Sequence, residues 1–555
     1  MRVSNFSKID YAIIAAFAAV GVLPVIFWGV PGGNDATQHY RFVHHVVDAL
    51  RAGDIFPSIA GNSNHGFGDV GLRIYPPLAY YAIAFIFIVT GDWYVASLVT
   101  FFLIFLIGGI GVYLLAREEF SSNQALAAAA IYIFAPFHLN EFYNTFLYAQ
   151  FAAGAILPFC FLFVTRVVKR NKLADSIWLA VAYACLVLTH LPLTIIGSVA
   201  LGLYALVLTK GKSISTLAKL AAAVVSGLIL SSFYWIRMLT EKDWIKHSDP
   251  FYFSNIWSYS ENYLLSARRF TDFAGENDIA LWFGDLLLIA TVLVCVPAIV
   301  FFYRSRERAP VLIGTSALLV FSLFMITPLS FFIWDNVLLL QKVQFPWRWM
   351  SIVSMTVSII AGPGLVCVGE QLKDANFSLK HLGIAIALLP FVVLSVFVVK
   401  APHFTPRQDF NARTELLRDG DTFEGWWPVW AQRAAFYQKD KVSTKDRAVE
   451  VKSWDSEKRS FTIQPGEGQI VSVATFYYPH WHAEIDGKPS AVQPGPTGLL
   501  EMHVPENASD VVLTFTEPHV LKAAKYTSLA AWTGLGLLLI SITYAKKNYG
   551  TDSGN

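Results

Sequence analysis

Long apolar runs separated by short polar stretches dominate the chain. Most runs are roughly 17 to 25 residues long, the length of helix that crosses the ~30 Å hydrocarbon core of a bilayer. Thirteen segments have this character: residues 9–30, 76–90, 94–116, 123–137, 147–168, 176–190, 192–209, 216–238, 279–303, 310–328, 347–368, 381–399 and 526–544. The pattern predicts a polytopic α-helical membrane protein.

Basic residues between the apolar segments predict which side each loop faces. Positively charged loops stay in the cytoplasm. The basic positions are KRNK at 169–172, KGK at 210–212, YRSRER at 303–308, AKKNY at 545–549, Arg2 and Lys8. All of them fall on one side only if YPPLAYYAIAFIFIV, residues 75–89, does not span, and this segment is short and opens with two prolines. We therefore predict about 12 spans, with both termini cytoplasmic.

The stretches on the opposite side define the predicted domains. Residues 1–400 form a transmembrane domain with two acidic outer loops, 31–93 and 138–146. Charge density rises from residue 401 to 525, and alternating runs such as GQIVSVATFYYP and DVVLTFTEP are separated by turn residues. This segment is therefore predicted to be an extracytoplasmic β-rich domain. Residues 526–555 are expected to form the last transmembrane helix and a cytoplasmic tail.

Composition excludes two classes of protein. Hydrophobic residues make up 55% of the 555 residues and charged residues 15%, which excludes a soluble enzyme. The formal net charge of +2 is small and scattered between helices, so we expect no nucleic-acid partner.

The stretch GGNDATQHYRF, residues 32–42, concentrates titratable groups directly after the first apolar segment. Asp35 and His39 are four residues apart, so both project from one face if Asp35 opens a helix. A carboxylate beside an imidazole is suited to moving a proton. Asn34 or Asp35 acting only as a cap of an interfacial helix explains the motif equally well. The motif alone leaves both interpretations open.

Further ionisable and aromatic groups collect on the predicted outer face. With Asp35 and His39 they are Asp54, Asp69, Arg73, Tyr75, Glu141, His190, Lys342 and Arg348. Such groups near a membrane are costly unless partnered, so the cluster predicts a functional site. A carboxylate can take the proton of an acceptor hydroxyl, while a cation neutralises a phosphate. Arg348 either binds that phosphate through its planar fork or snorkels to lipid headgroups.

Seven stretches carry a resemblance to known membrane proteins. They are NDATQHYRF, GFGDVGLRIYPPLAYY, GVYLLAREEF, APFHLNEFY, LTHLP, QFPWRW and YYPHWHAEIDGKP. Their order resembles the GT-C fold of membrane glycosyltransferases. More closely, the chain resembles the bacterial membrane proteins described as 6-pyruvoyl-tetrahydropterin synthase-related, a group similar to the YfhO-like proteins. Nothing in the sequence looks like a soluble pterin enzyme.

The resemblance implies roles for the residues singled out above. Asp35 and Glu141 would be the catalytic acids, with His39 in support. Arg73, Tyr75, His190, Lys342 and Arg348 would bind substrate. A divalent metal, Mg²⁺ or Mn²⁺, held by Asp35 and Glu141 is left open, and no other cofactor is expected. The family pattern usually has an arginine and a glutamate where this chain has Thr145 and Gln150, which favours altered specificity or lost activity.

The resemblance also implies a function. We expect an inverting glycosyltransferase in the bacterial plasma membrane that moves a sugar from a polyprenyl-phosphate donor to a glycan, lipid or protein acceptor on the outer face. Membrane lipids are the other expected partners. Two alternatives are a non-catalytic GT-C-like assembly partner and a lipid or polysaccharide transporter. Helices 347–368 and 381–399 hold few of the deep polar residues that a transporter needs.

Overall fold

The computed structural model describes residues 7–210, 214–271, 275–305, 309–372 and 379–549. Several predictions of cytoplasmic position fall wholly or partly outside these described residues. They concern Arg2, the basic runs at 210–212 and 303–308, and the tail beyond residue 549.

Helices make up most of the structure. The α-helices are α1 Lys8–Trp28, α2 Ala36–Arg51, α3 Gly71–Ile74, α4 Leu78–Thr90, α5 Trp93–Ala116, α6 Ser122–Ile133, α7 Pro136–Tyr143, α8 Tyr148–Arg170, α9 Leu173–Thr189, α10 Leu191–Leu208, α11 Ile214–Leu230, α12 Ser232–Glu241, α13 Glu276–Leu293, α14 Val296–Ser305, α15 Pro310–Ile326, α16 Phe331–Asn336, α17 Leu338–Gln341, α18 Met350–Leu372, α19 Leu379–Lys400, α20 Arg407–Glu415 and α21 His519–Tyr549.

The apolar helices confirm a polytopic membrane protein. Within the described ranges, 8 helices are long and apolar enough to cross a membrane, or up to 11 if each bent helix pair counts as one span. Helix α4 has 13 residues. At 1.5 Å per residue it is about 20 Å long, shorter than a hydrocarbon core of roughly 30 Å. The number of about 12 spans and the position of both termini stay predictions.

The end of α1 fixes the start of the acidic segment. Gly29 ends the helix with φ 106. A Cβ atom at this position would lie 2.0 Å from the backbone oxygen of Thr405, so only glycine fits. The next residues form strand β1, Val30–Pro31, which pairs antiparallel with β2, Phe404–Thr405. This pairing holds the chain that leads into α2.

The chain forms two compact units. The first contains Met1–Val43, Pro77–Val224 and Asp249–Glu415. The second contains His44–Pro76, Val225–Ser248 and Leu416–Asn555. The predicted boundaries at residues 400 and 525 stay predictions.

A pair of antiparallel sheets forms the C-terminal part of the second unit. Their strands are β3 Val442–Ser443, β4 Val449–Trp454, β5 Lys458–Ile463, β6 Gln469–Phe476, β7 Trp481–Ile485, β8 Lys488–Ser490, β9 Gln493–Pro494, β10 Leu499–Val504 and β11 Ser509–Phe515. One sheet has the order β3-β6-β10-β9 and the other β4-β5-β11-β7-β8. Buried side chains of both sheets, including Phe461, Leu513, Val471 and Leu500, share one hydrophobic core. The predicted β-rich domain is therefore confirmed.

Candidate functional site

Asp35 lies at the N-terminal end of α2 with its side chain exposed to solvent. The capping interpretation of Asp35 stays open. Although Asp35 reaches the surface, neighbouring protein atoms remove part of the water around its carboxylate and so raise its pKa, while the charge of Arg348 opposes this shift. Asp35 is thus an accessible carboxylate within electrostatic reach of Arg348.

The two acidic segments of the first unit lie side by side. A Cβ atom on Gly33 would be 2.4 Å from the carbonyl carbon of Thr145 and 2.6 Å from Phe146. The segment that carries Asp35 therefore packs against the residues that follow α7. Helix α7 carries Glu141, in a stretch that we predicted as an outer loop.

His39 is buried beside aromatic rings. Its Nδ1 lies 2.8 Å from the hydroxyl oxygen of Tyr80, and the rings of Phe146 and Tyr148 are close to the imidazole. Burial lowers the pKa of His39 to about 3. The imidazole is therefore neutral at physiological pH and carries one N–H proton. Its predicted supporting role stays a prediction.

Glu141 is completely buried. Its Oε1 accepts hydrogen bonds from Gln150 Nε2 at 2.6 Å and from Ser351 Oγ at 2.9 Å. Its Oε2 lies 3.5 Å from Nδ1 of His138, three residues earlier on α7. Glu141 thus joins α7, α8 and α18 and shapes the site from within the protein.

Arg348 lies in a 3₁₀ turn, Pro346–Trp349, directly before α18. Only 8% of the residue is exposed. Nη1 donates to Oε1 of Gln150 at 2.6 Å and lies 3.1 Å from Nε2 of His190. The guanidinium group also lies over the rings of Phe345 and Trp347, with 5.1 and 5.4 Å to the centroids. Protein groups therefore hold the cation in place.

His190 faces hydrogen-bond donors on both ring nitrogens. Its Nδ1 accepts from the backbone N–H of Leu193 at 3.2 Å and thereby caps α10, while Nε2 faces Arg348. A neutral imidazole has only one acceptor nitrogen, so one of these contacts sets two N–H groups against each other. Burial, with the charge of Arg348 and the nearness of His39, lowers the pKa of His190 well below its usual value. The substrate-binding role predicted for His190 stays a prediction.

Lys342 is exposed, and its Nζ lies 3.7 Å from the centroid of the Phe253 ring. That contact holds the ammonium group on an aromatic face. The substrate-binding role predicted for Lys342 stays a prediction.

Arg73 and Tyr75 belong to the second unit, where Arg73 enters a different cluster. Its Nε and Nη2 each donate to Glu241 at 2.6 Å, and its Nη1 lies 2.8 Å from Glu517. Tyr478 and His480 also bind Glu241, at 2.7 and 2.8 Å. The Arg73 side chain is 0% exposed. We call this group the Arg73–Glu241 network.

Glu517 and Tyr75 are two further residues of the second unit with defined neighbours. Burial raises the pKa of Glu517, but the charges of Arg237, Arg73 and Lys525 bring it down to about 2. Glu517 is therefore ionised at physiological pH. Tyr75 is half-buried, and its ring meets Trp426 edge-on at 5.4 Å. The substrate-binding roles predicted for Arg73 and Tyr75 stay predictions.

Two residues of the site were not found from the sequence. Gln150 connects Glu141 to Arg348, and Ser351 donates to Glu141, yet a neutral polar residue inside an apolar helix carries little signal. The appearance of Gln150 where the family pattern usually has glutamate was the one available clue.

The structure offers little to a metal ion. Among the described residues, no group of three or more His, Cys, Asp or Glu side chains is placed to hold one. Glu141 is buried with Oε1 already occupied by two donors, whereas Asp35 is accessible. A divalent metal, Mg²⁺ or Mn²⁺, held by Asp35 and Glu141 stays a prediction.

Comparison with solved structures gives partial likenesses. The oligosaccharyltransferase of Archaeoglobus fulgidus in the apo form is 14% identical and has a TM-score of 0.41, over 74% of this chain and 58% of that chain. Arabinofuranosyltransferase AftD from Mycobacteria is 14% identical with a TM-score of 0.45, over 71% and 28%. ArnT from Cupriavidus metallidurans bound to undecaprenyl phosphate is 15% identical with a TM-score of 0.43, over 73% and 68%. No residue role is carried over from these likenesses.

Comparison of sequences identifies the family. An uncharacterized protein of Lactococcus lactis subsp. cremoris (strain MG1363) is 28% identical over 251 residues, which are 42% of this chain and 40% of that protein. The chain thus matches less than half the length of this relative. The family described as "6-pyruvoyl-tetrahydropterin synthase related domain; membrane protein" matches residues 72–402, a range that contains Glu141, His190 and Arg348. This match covers more than half of the chain. The chain therefore belongs to the family of membrane proteins with a 6-pyruvoyl-tetrahydropterin synthase related domain.

Proposed function

We propose that the protein is a membrane glycosyltransferase. It transfers a sugar, with inversion, from a polyprenyl-phosphate donor to an acceptor hydroxyl on the outer face of the plasma membrane. One observation carries the proposal: an accessible carboxylate, Asp35, lies within electrostatic reach of a buried cation, Arg348. Glycosyl transfer from a lipid phosphate needs these two charges, one to take a proton and one to meet the leaving phosphate.

Asp35 is the general base of the proposed reaction. The acceptor oxygen attacks the anomeric carbon, and its proton passes to the Asp35 carboxylate. The raised pKa of Asp35 makes this carboxylate a stronger base than an ordinary aspartate. Its exposure lets an acceptor reach it, which the buried Glu141 does not allow.

Arg348 meets the phosphate that departs. As the bond between the anomeric carbon and the phosphate oxygen breaks, that oxygen leaves with the electron pair and gains negative charge. A guanidinium group is a planar fork suited to phosphate oxygens. Gln150 and the rings of Phe345 and Trp347 hold Arg348 in place before the donor arrives. Such preorganisation is the main source of electrostatic catalysis.

A non-catalytic assembly partner is the second candidate. The observation that favours it is the closed environment of Glu141, whose Oε1 is bound by the uncharged Gln150 and by Ser351. A protein that kept the fold but lost the chemistry would retain such a buried acid for stability.

The test compares Asp35→Asn with the unsubstituted protein in nanodiscs, using a panel of undecaprenyl-phosphate-linked sugars. Asparagine keeps the size of the side chain but loses its basicity, so we expect transfer to fall by roughly 100-fold or more. Glu276→Gln, an exposed acid at the start of α13, is the control and should leave transfer unchanged. Transfer by Asp35→Asn at the normal rate would show that Asp35 is not the base. No transfer by any version of the protein would favour the assembly partner.

A further inference from the structure

Gln150 stands between the buried acid and the cation of the site. It is 1% exposed and lies in the first turn of α8. Its Nε2 donates to Glu141 Oε1 at 2.6 Å, and its Oε1 accepts from Arg348 Nη1 at 2.6 Å. Arginine can only donate and an ionised glutamate can only accept, so the neighbours fix which way the amide points. One neutral side chain thus separates two opposite charges.

The distance between the Glu141 carboxylate and the Arg348 guanidinium group matters because the attraction between opposite charges weakens as they move apart. Without the amide, the Glu141 carboxylate would be free to pair directly with Arg348 and neutralise it. A guanidinium group already paired with a buried carboxylate attracts a phosphate weakly. With the amide in between, the Glu141 carboxyl group and Arg348 are joined through the two hydrogen bonds of Gln150.

We propose that Gln150 is a specificity-determining residue: its neutral amide keeps Glu141 from pairing with Arg348 and so reserves the arginine charge for an anionic lipid phosphate. This inference rests on the proposed function.

A purely positional role for Gln150 is the competing explanation. In that case the residue matters only because its oxygen orients Arg348 and its volume fills the core. The two explanations predict opposite orders for two variants. Gln150→Glu keeps an oxygen for Arg348 but adds a charge, whereas Gln150→Met fills the space without a charge or an acceptor.

The decisive variant exchanges the two side chains, Glu141→Gln together with Gln150→Glu. The number of carboxylates, amides and buried atoms stays the same, so the exchange avoids an extra buried charge. Only the position of the negative charge changes, from two hydrogen bonds away to direct contact with Arg348. The probe is undecaprenyl phosphate without a sugar, and its equilibrium binding is measured in nanodiscs at pH 7.

We expect the exchange variant to bind undecaprenyl phosphate roughly tenfold or more weakly than the unsubstituted protein, because a direct ion pair competes with the phosphate. Gln150→Met should bind better than Gln150→Glu. Equal binding by the exchange variant and the parent, or weaker binding by Gln150→Met than by Gln150→Glu, would overturn the inference.

Binding and transfer separate this inference from the proposed function. If the parent binds the lipid phosphate and the exchange variant binds it weakly, the inference stands even when no sugar is transferred. In that case only the proposed transferase activity fails. If transfer occurs and the exchange variant binds normally, only the inference fails. Absence of binding by the parent overturns both.

Discussion

Replacing Arg348 with lysine tests whether the guanidinium group, and not only its charge, binds the donor. Lysine keeps the positive charge but offers a single ammonium group on a flexible stem. It cannot reproduce the 2.6 Å bond to Gln150 while presenting a second planar N–H group to a phosphate. It also loses the contact of the guanidinium group with the rings of Phe345 and Trp347.

The expected loss follows from the hydrogen bonds removed. One hydrogen bond to a charged group contributes about 1.5–3 kcal/mol. Since about 1.4 kcal/mol corresponds to a factor of ten, donor binding should weaken roughly 10- to 150-fold. The assay is equilibrium binding of undecaprenyl phosphate to the purified full-length protein in nanodiscs, at fixed pH and salt.

Arg407→Lys is the matched control for this substitution. Arg407 also belongs to the first unit and lies over an aromatic ring, that of Tyr94 at 5.1 Å, but it is exposed. The same chemical change there should leave binding unaltered. An Arg348→Lys protein that binds within about threefold of the parent, a difference of well under 1 kcal/mol, would refute the reasoning. Arg348 would then be an anchor to lipid headgroups.

Two further predictions concern stability and topology. Glu241→Gln removes one of the two carboxylates that pair with the buried Arg73 and leaves Glu517. Urea pulse proteolysis should show that the second unit is destabilised by about 3 kcal/mol, the lower end of the range for a broken buried pair. A loss of stability below about 1 kcal/mol would contradict this prediction. Cysteines introduced at the exposed positions Gly53 and Gly487 should react with a membrane-impermeant thiol reagent in intact cells. A cysteine introduced at Lys210 should not react. A reversed pattern would place the proposed site on the cytoplasmic side.

The sequence predicted the classes of element well because those signals are local. Apolar runs predicted the long apolar helices, and the alternation of apolar and polar residues in GQIVSVATFYYP predicted strand β6, Gln469–Phe476. The stretch PFHLNEFY was harder. It is too short and too polar to stand out as a helix, yet Pro136 at its start is compatible with helix α7 and buried neighbours stabilise it.

The partners of the charged residues were not predictable, because they depend on contacts between distant parts of the chain. Arg73 and Glu241 are 168 residues apart in the sequence, and Arg348 and Gln150 are 198 apart. Spacing indicates which residues share a helix face, but not which helices meet. The same limit concealed the burial of His39, whose neighbours Phe146 and Tyr148 come from another segment.

The pairing of β1 with β2 also determines when the site is completed during synthesis. Val30 and Pro31 lie just before Asp35, but their partners Phe404 and Thr405 follow about 370 residues later. At roughly 5–20 residues per second, a ribosome needs about 20–75 s to make the intervening chain. Throughout that interval the nascent protein is already entering the membrane while the segment with Asp35 lacks the strand that fixes it. Chains truncated before residue 404 would therefore lack the strand that pairs with Val30 and Pro31.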